Sequence, residues 1–223
     1  MFRMAQPFDE RNCPDMTTVI SSPGEIGTNR VEAFSDGVFA IATTLLILEV
    51  AVPHAEDGQL GSMLLGLWPS YLAYALGFFT IAVMWINHHF LIGLLTRIDR
   101  PLIFLNVAVL GIVAFIPFPT AVIAEYMIEP SESNLSAASV LYGITIFLLT
   151  ATFTALWAHV RRSPRLSKDF VVSKPISSRA LVFCSIAAVL NLAAIGISFV
   201  FPIVALVFYT IVVILFAVGR LAR

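Results

Sequence analysis

Residues 30 to 36 read Arg-Val-Glu-Ala-Phe-Ser-Asp, and from Gly37 the chain turns almost wholly apolar. A carboxylate carried into hydrocarbon is costly unless something holds it, so an ionisable residue there marks a site. With Arg30 as the polar end of a helix rising 1.5 Å per residue, Asp36 lies roughly 9 Å into the apolar layer. Two other segments carry groups at similar depth. Trp85, His88 and His89 lie shortly before Arg97, and Asn106 follows Arg100 and Pro101. Measured from those ends, His88 and His89 are about 12–14 Å in, Trp85 about a turn deeper, and Asn106 about 8 Å in. An indole N–H, an imidazole N–H and an amide are donors of the kind a buried carboxylate needs. Such groups also join helices with no further role. The histidine pair reads poorly as a metal site, because adjacent helical residues diverge by about 100°.

The elements that must position these groups are membrane helices. The chain of 223 residues is 59% hydrophobic and 12% charged, against about 25% charged in soluble domains. Apolar segments cover 30–52, 65–95, 101–127, 136–161, 179–199 and 202–220, each near or above the ~20 residues a span requires. The expected fold is therefore all-α, with six transmembrane helices. Pro202 suits the first turn of the last helix, and Pro117 with Pro119 predicts a break in the third. Residues 1–28 lack a continuous apolar core and read as a mobile cytoplasmic tail with no cleavable signal. Residues 29–223 form the membrane domain.

Polar breaks alternate in charge. All 13 Lys and Arg residues fall before the first segment, after the second, between the fourth and fifth, or at the chain end. Glu49, Glu56, Asp57, Glu125, Glu129 and Glu132 fall on the other side. The positive-inside rule places both termini in the cytoplasm of a cell-membrane protein. A net charge of −1 gives no nucleic-acid footprint. Cys13 and Cys184 form neither a disulfide framework nor a metal spacing. No phosphate loop, no nucleophile paired with a base and no metal-ligand cluster is visible, so an enzyme is not expected and no cofactor is implied.

The first helix has two unlike faces. Taking Ile41 as reference and about 100° per residue, Phe34, Gly37, Thr44, Leu45, Leu48 and Val52 fall within about 60° of it. Ser35, Asp36 and Glu32 lie about 120° or more away. If Asp36 faces its own subunit, Ile41 faces outward, toward lipid or a partner subunit. It sits about 16 Å from Arg30, near the middle of an ~30 Å slab.

The stretch Arg30-x-x-x-Phe34-Ser35-Asp36, followed by an apolar first helix, resembles the signature of the transmembrane protein 175 family of potassium channels. Trp85 with His88 or His89, Asn106, and Phe115-Ile116-Pro117-Phe118 are similar to that family's pattern, and the resemblance covers about 30 to 220. It implies the prokaryotic single-repeat form, a homotetramer whose first helices line a central pore without a Thr-Val-Gly-Tyr-Gly filter. It implies a constriction at Ile41, apolar layers at Leu45 and Leu48, and selectivity at Thr44. Asp36 and Ser35 would then pin the first helix, with Trp85, His88, His89 and Asn106 as the inter-helix network. The expected function is passive conduction of K⁺ and other monovalent cations. The alternative is a proton-permeable channel or proton-coupled transporter using Asp36 and His88 or His89, although no inverted repeat of carrier type is evident. A membrane-embedded enzyme or scaffold is the remaining rival.

Overall fold

Proline decides where several of the helices begin and stop in the computed structural model, which describes residues 26–128 and 131–221. Most of the expected tail (residues 1–25) lies outside the described residues, as do Glu129 and Arg223. The protein is all-α. Helix α1 spans Thr28–Leu45 and tightens into a 3₁₀ turn at Leu46–Glu49. A short α2, Leu60–Gly66, precedes α3, Trp68–Gly93. Then come α4 (Arg100–Phe115), α5 (Pro117–Ile128), α6 (Glu132–Arg162), α7 (Phe170–Ser198) and α8 (Pro202–Leu221).

Pro69 sits in the first turn of α3, where a missing N–H costs nothing. Pro117 ends α4 because its ring cannot continue the ladder. The chain restarts at once as α5, and Thr120 returns both its N–H and its hydroxyl to Ile116 O, at 3.2 and 2.9 Å. Arg100–Ile128 is thus a single apolar stretch of 29 residues with a break in it. Among the described residues, five stretches are long and apolar enough to cross a membrane: Thr28–Glu49, Trp68–Gly93, Arg100–Ile128, Glu132–Arg162 and Lys174–Ser198. The expected sixth segment is helical, with a described apolar part at Pro202–Ala217 that is shorter. The expected second segment, 65–95, is α3, Trp68–Gly93, within a few residues, and the short α2 stands just ahead of it.

Short backbone pairings lace one end of the bundle. Ile26–Gly27, just before α1, pairs antiparallel with Arg97–Ile98, between α3 and α4. The same connection reaches the α6–α7 loop, with Thr96 N–H donating to Leu166 O and Lys168 N–H to Leu94 O, both at 2.9 Å. Leu95, Ile98 and Leu166 are buried beneath these bonds. Arg30, Arg97, Arg100, Arg161, Arg162, Arg165 and Lys168 therefore share one end, as the alternation of charge predicts. Asp99 caps α4 there through Leu102 N–H at 3.1 Å, and its two carboxylate oxygens lie 3.0 Å from His159 Nε2.

The main core joins Phe39 of α1 and Leu46 of the 3₁₀ turn after it to Ile81 and Leu91 of α3, Val109 and Val113 of α4, and Phe153 and Trp157 of α6. A smaller cluster gathers Ala73, Ile123, Tyr142 and Tyr209. Helix α1 lies at the edge, against α3 and α4. Only 22% of its most apolar window is buried, as is also the case for α7, against 50% for α3, α4–α5 and α6. Its far end seats Leu46 in a notch at Gly77 of α3, where an added Cβ would stand 2.9 Å from Leu46 Cδ2 and 3.0 Å from Thr120 Oγ1.

Gly143 of α6 makes a second notch, filled by Tyr209 and Ile195. The Tyr209 hydroxyl shares a hydrogen bond with Ser198 at 3.2 Å, and Ser198 one with Ser139 at 2.9 Å. A Cβ at position 143 would overlap the Tyr209 hydroxyl and approach Tyr209 Cζ to 2.7 Å. Gly143→Ala is therefore expected to destabilise the fold by about 1–3 kcal/mol through overpacking. Thermal unfolding in detergent measures it. An unchanged midpoint would mean that α6 and α8 are less closely seated than described.

Candidate functional site

Ser35, one turn past Val31 on α1, is fully buried. Its hydroxyl donates to Val31 O at 2.7 Å and accepts from Asn106 Nδ2 of α4 at 3.1 Å. Asn106 Oδ1 in turn lies 2.6 Å from His88 Nε2 of α3. An amide oxygen has no proton to give, so Nε2 is the donor and His88 carries its proton there. All three side chains are at most 3% exposed. The His88 ring is held between Phe39, at a centroid distance of 5.3 Å, and the edge of Phe153, at 6.4 Å. Three helices are thus joined by a line of hydrogen bonds inside an apolar core. Loss of any member leaves a buried partner unsatisfied, at a cost of about 1–3 kcal/mol.

A second polar group lies beside this line, closer to the surface. Trp85 Nε1–H donates to Asp36 Oδ1 at 2.8 Å. Glu32 Oε1 and His89 Nδ1 are 3.2 Å apart, and the Trp85 and His89 rings lie 5.8 Å from one another. The sequence places Asp36, Trp85, the histidines and Asn106 in one layer, and the structure divides that layer in two. Ser35, not Asp36, reaches Asn106, because adjacent helical residues point about 100° apart. His88 and His89 separate for the same reason, one into the core and one outward. Arg30 is exposed, and Phe34 is exposed despite its aromatic ring.

The opposite face of α1 is largely uncovered by the described residues. Phe39, Ala42 and Leu46 are buried at 2% or less, whereas Ile41 is 61% exposed, Leu45 41% and Leu48 74%. Gly37 opens onto free space. Thr44 shares this face, and its hydroxyl donates to Ile41 O at 2.9 Å. With the proton turned into the helix, the oxygen lone pairs remain free to face outward. The face that periodicity sets opposite Asp36 is therefore the bare one.

Among the polar groups that the sequence does not announce, two lie between distant helices. The Asp99–His159 pair joins residues 60 positions apart, and only Asp99 had a local signal, as a capping residue ahead of Pro101. Thr80 and Tyr142 share a hydrogen bond at 3.2 Å between α3 and α6, and no short-range pattern announces it.

Comparison with known proteins follows this geometry closely. A family model described as the endosomal/lysosomal potassium channel TMEM175 matches residues 30–117, the stretch that holds all of the polar line and the bare face. A protein named as a potassium channel in Streptomyces collinus is 48% identical over 140 residues, covering 62% of this chain and 67% of its own. Another so named, from Chamaesiphon minutus, is 46% identical over 151 residues, covering 66% of this chain and 73% of its own. A crystal structure of a lysosomal potassium-selective channel TMEM175 homolog from Chamaesiphon minutus superposes with a TM-score of 0.76 at 36% identity, covering 86% of this chain and 97% of that one. With a buried hydrogen-bonded line, a bare apolar first helix and relatives matched over most of their length, this multi-pass membrane protein belongs to the TMEM175 family.

Proposed function

We propose that the protein is a potassium-preferring cation channel of the cell membrane, a homotetramer in which four copies of α1 surround a central pore. The observation that carries the reading is the division of α1 into a pinned side and a bare side. Lipid alone would cover an apolar face, but it gives no reason to fix that face's rotation with a buried hydrogen-bonded line. A tetramer axis does. The naming of the bacterial relatives as potassium channels supports the permeant ion. The basic residues gathered at one end support six spans with both termini cytoplasmic. The expected division at 28/29 moves back slightly, because Ile26–Gly27 is paired with Arg97–Ile98 and Thr28 opens α1; the channel domain then includes Ile26, and the residues before it fall on the cytoplasmic side.

In this arrangement Ile41, Leu45 and Leu48 ring the axis, with Ile41 nearest the membrane centre. An apolar ring stops ions by narrowing and by excluding water, since an ion must keep or replace its hydration to pass. Thr44 offers four hydroxyl oxygens one turn away, and an outward lone pair replaces part of a hydration shell. Of the motif residues Ser35 and Asp36 aim the bare face, together with Trp85, His88, His89 and Asn106, whereas Arg30 and Phe34 stand exposed at the start of α1. Flow is passive and needs no cofactor.

Purified protein in liposomes under opposed K⁺ and pH gradients tests the reading. Reversal potentials should follow K⁺. Potentials that follow pH alone would replace it with a proton pathway through Asp36 and His88 or His89. Absence of flux together with crosslinking to another protein would favour a scaffold.

Ile41→Asn should raise conductance by lowering the dehydration barrier, at the expense of selectivity. Ile41→Cys, in a chain with Cys13 and Cys184 replaced, should lose current when a small thiol reagent enters the pore. Undiminished current after the reagent would move α1 away from the axis.

Thr44→Val keeps the side-chain shape and removes the oxygen. Bi-ionic recordings should show K⁺ over Na⁺ discrimination reduced while current persists. Unchanged relative permeability would take Thr44 out of the mechanism.

A further inference from the structure

Glu32, Asp36 and His89 bring three ligand-bearing side chains to one point near the Arg30 end of α1. A carboxylate oxygen from each acid and a ring nitrogen of His89 all lie within 4.8 Å of one another. Glu32 and Asp36 stand one helical turn apart on α1 and share a face, while His89 approaches from α3. A tetrahedral ion about 2.0–2.2 Å from its ligands keeps those ligands roughly 3.3–3.6 Å apart. The Glu32–His89 separation of 3.2 Å is already close to that spacing. Modest side-chain rotation brings in the third ligand.

Two neighbours prepare the cluster. Trp85 Nε1–H occupies Asp36 Oδ1, orienting the carboxylate and leaving its second oxygen free. Partners of this kind fix the geometry of a metal ligand and raise affinity. The Trp85 ring also lies 5.8 Å from that of His89, restricting its rotation. The chemistry of the donor set narrows the choice of ion. Two carboxylates supply compensating charge for a dication, and an imidazole nitrogen favours zinc-like transition metals over Mg²⁺ or Ca²⁺. The His89 side chain is 56% exposed and Glu32 30%, so water has access for a fourth position.

We propose that Glu32, Asp36 and His89 form a binding site for a divalent transition-metal cation of the zinc class, bridging α1 to α3. The bound ion fastens the two helices beside the buried Ser35–Asn106–His88 line. Binding stands independently of conduction. Only its bearing on a pore rests on the channel reading.

The test uses the full-length chain with Cys13→Ser and no histidine tag. Zn²⁺ alone is titrated in competition with a chromophoric chelator, and unfolding is followed in detergent with and without Zn²⁺. The wild-type site should bind one Zn²⁺ per chain, and saturating Zn²⁺ should raise its unfolding midpoint, as any ligand of the folded state does. Trp85→Phe should weaken binding by about tenfold, the low end for a lost outer-shell partner. His89→Ala and Glu32→Gln should weaken it further and abolish the thermal shift. His89→Cys replaces the imidazole with a thiolate and should restore binding, with a thiolate-to-metal charge-transfer band when Co²⁺ is the probe. The site is overturned if the wild type binds no Zn²⁺, or if folded His89→Ala and Glu32→Gln bind it as tightly as wild type. Should His89→Ala fail to fold, the Co²⁺ adduct of His89→Cys decides, and absence of the band overturns the site.

Discussion

Everything in this protein that distinguishes α1 from an ordinary apolar helix depends on one buried hydrogen-bonded line, Ser35 to Asn106 to His88. Packing alone fixes a helix's rotation weakly when most of its surface is apolar, because many rotations bury similar area. A polar atom in the interior removes that degeneracy. Any rotation that takes Ser35 from Asn106 leaves an amide donor facing hydrocarbon, and an error of one residue costs the bond outright. The line therefore sets an angle, and only secondarily a distance.

The other arrangements serve that angle. The pairing of Ile26–Gly27 with Arg97–Ile98 fixes where α1 starts relative to α3 and α4. The bonds from Thr96 N–H to Leu166 O and from Lys168 N–H to Leu94 O tie the same strand pair to the α6–α7 connection. Trp85 and Asp36 brace the flank. The helix is consequently referenced to its neighbours at its polar end through backbone, buried side chains and surface side chains together.

How much of this a reader of the sequence could see follows from the range of each interaction. The bare face of α1 was legible because helical periodicity is local, and the break at Pro117 because proline acts on its own turn. Sharing of one end by the basic residues was legible because insertion rules act on loop composition. The division between Ser35 and Asp36 was not. Depth along the helix put both in one layer, and only the packed position of α3 and α4 decides which of two adjacent side chains faces inward. The separate short α2 ahead of Trp68 is not legible because apolar composition continues from one helix into the next. Asp99 with His159, and the Glu32 and Asp36 pair with His89, bring together groups from segments far apart in sequence. Their pairing is created by tertiary packing, and no spacing within a single segment encodes it.

Helix α1 is also held at its other end, where Leu46 sits in the notch left by Gly77 beside Thr120. The two fastenings, at Ser35 and Leu46, lie eleven positions apart, and Ile41 falls at the middle of the interval. Between them Phe39 and Ala42 are buried in the core, so the backbone is supported along the whole interval on one side. Ile41 therefore projects from a stretch of helix that its own subunit holds like a ledge, at a height set by the two ends.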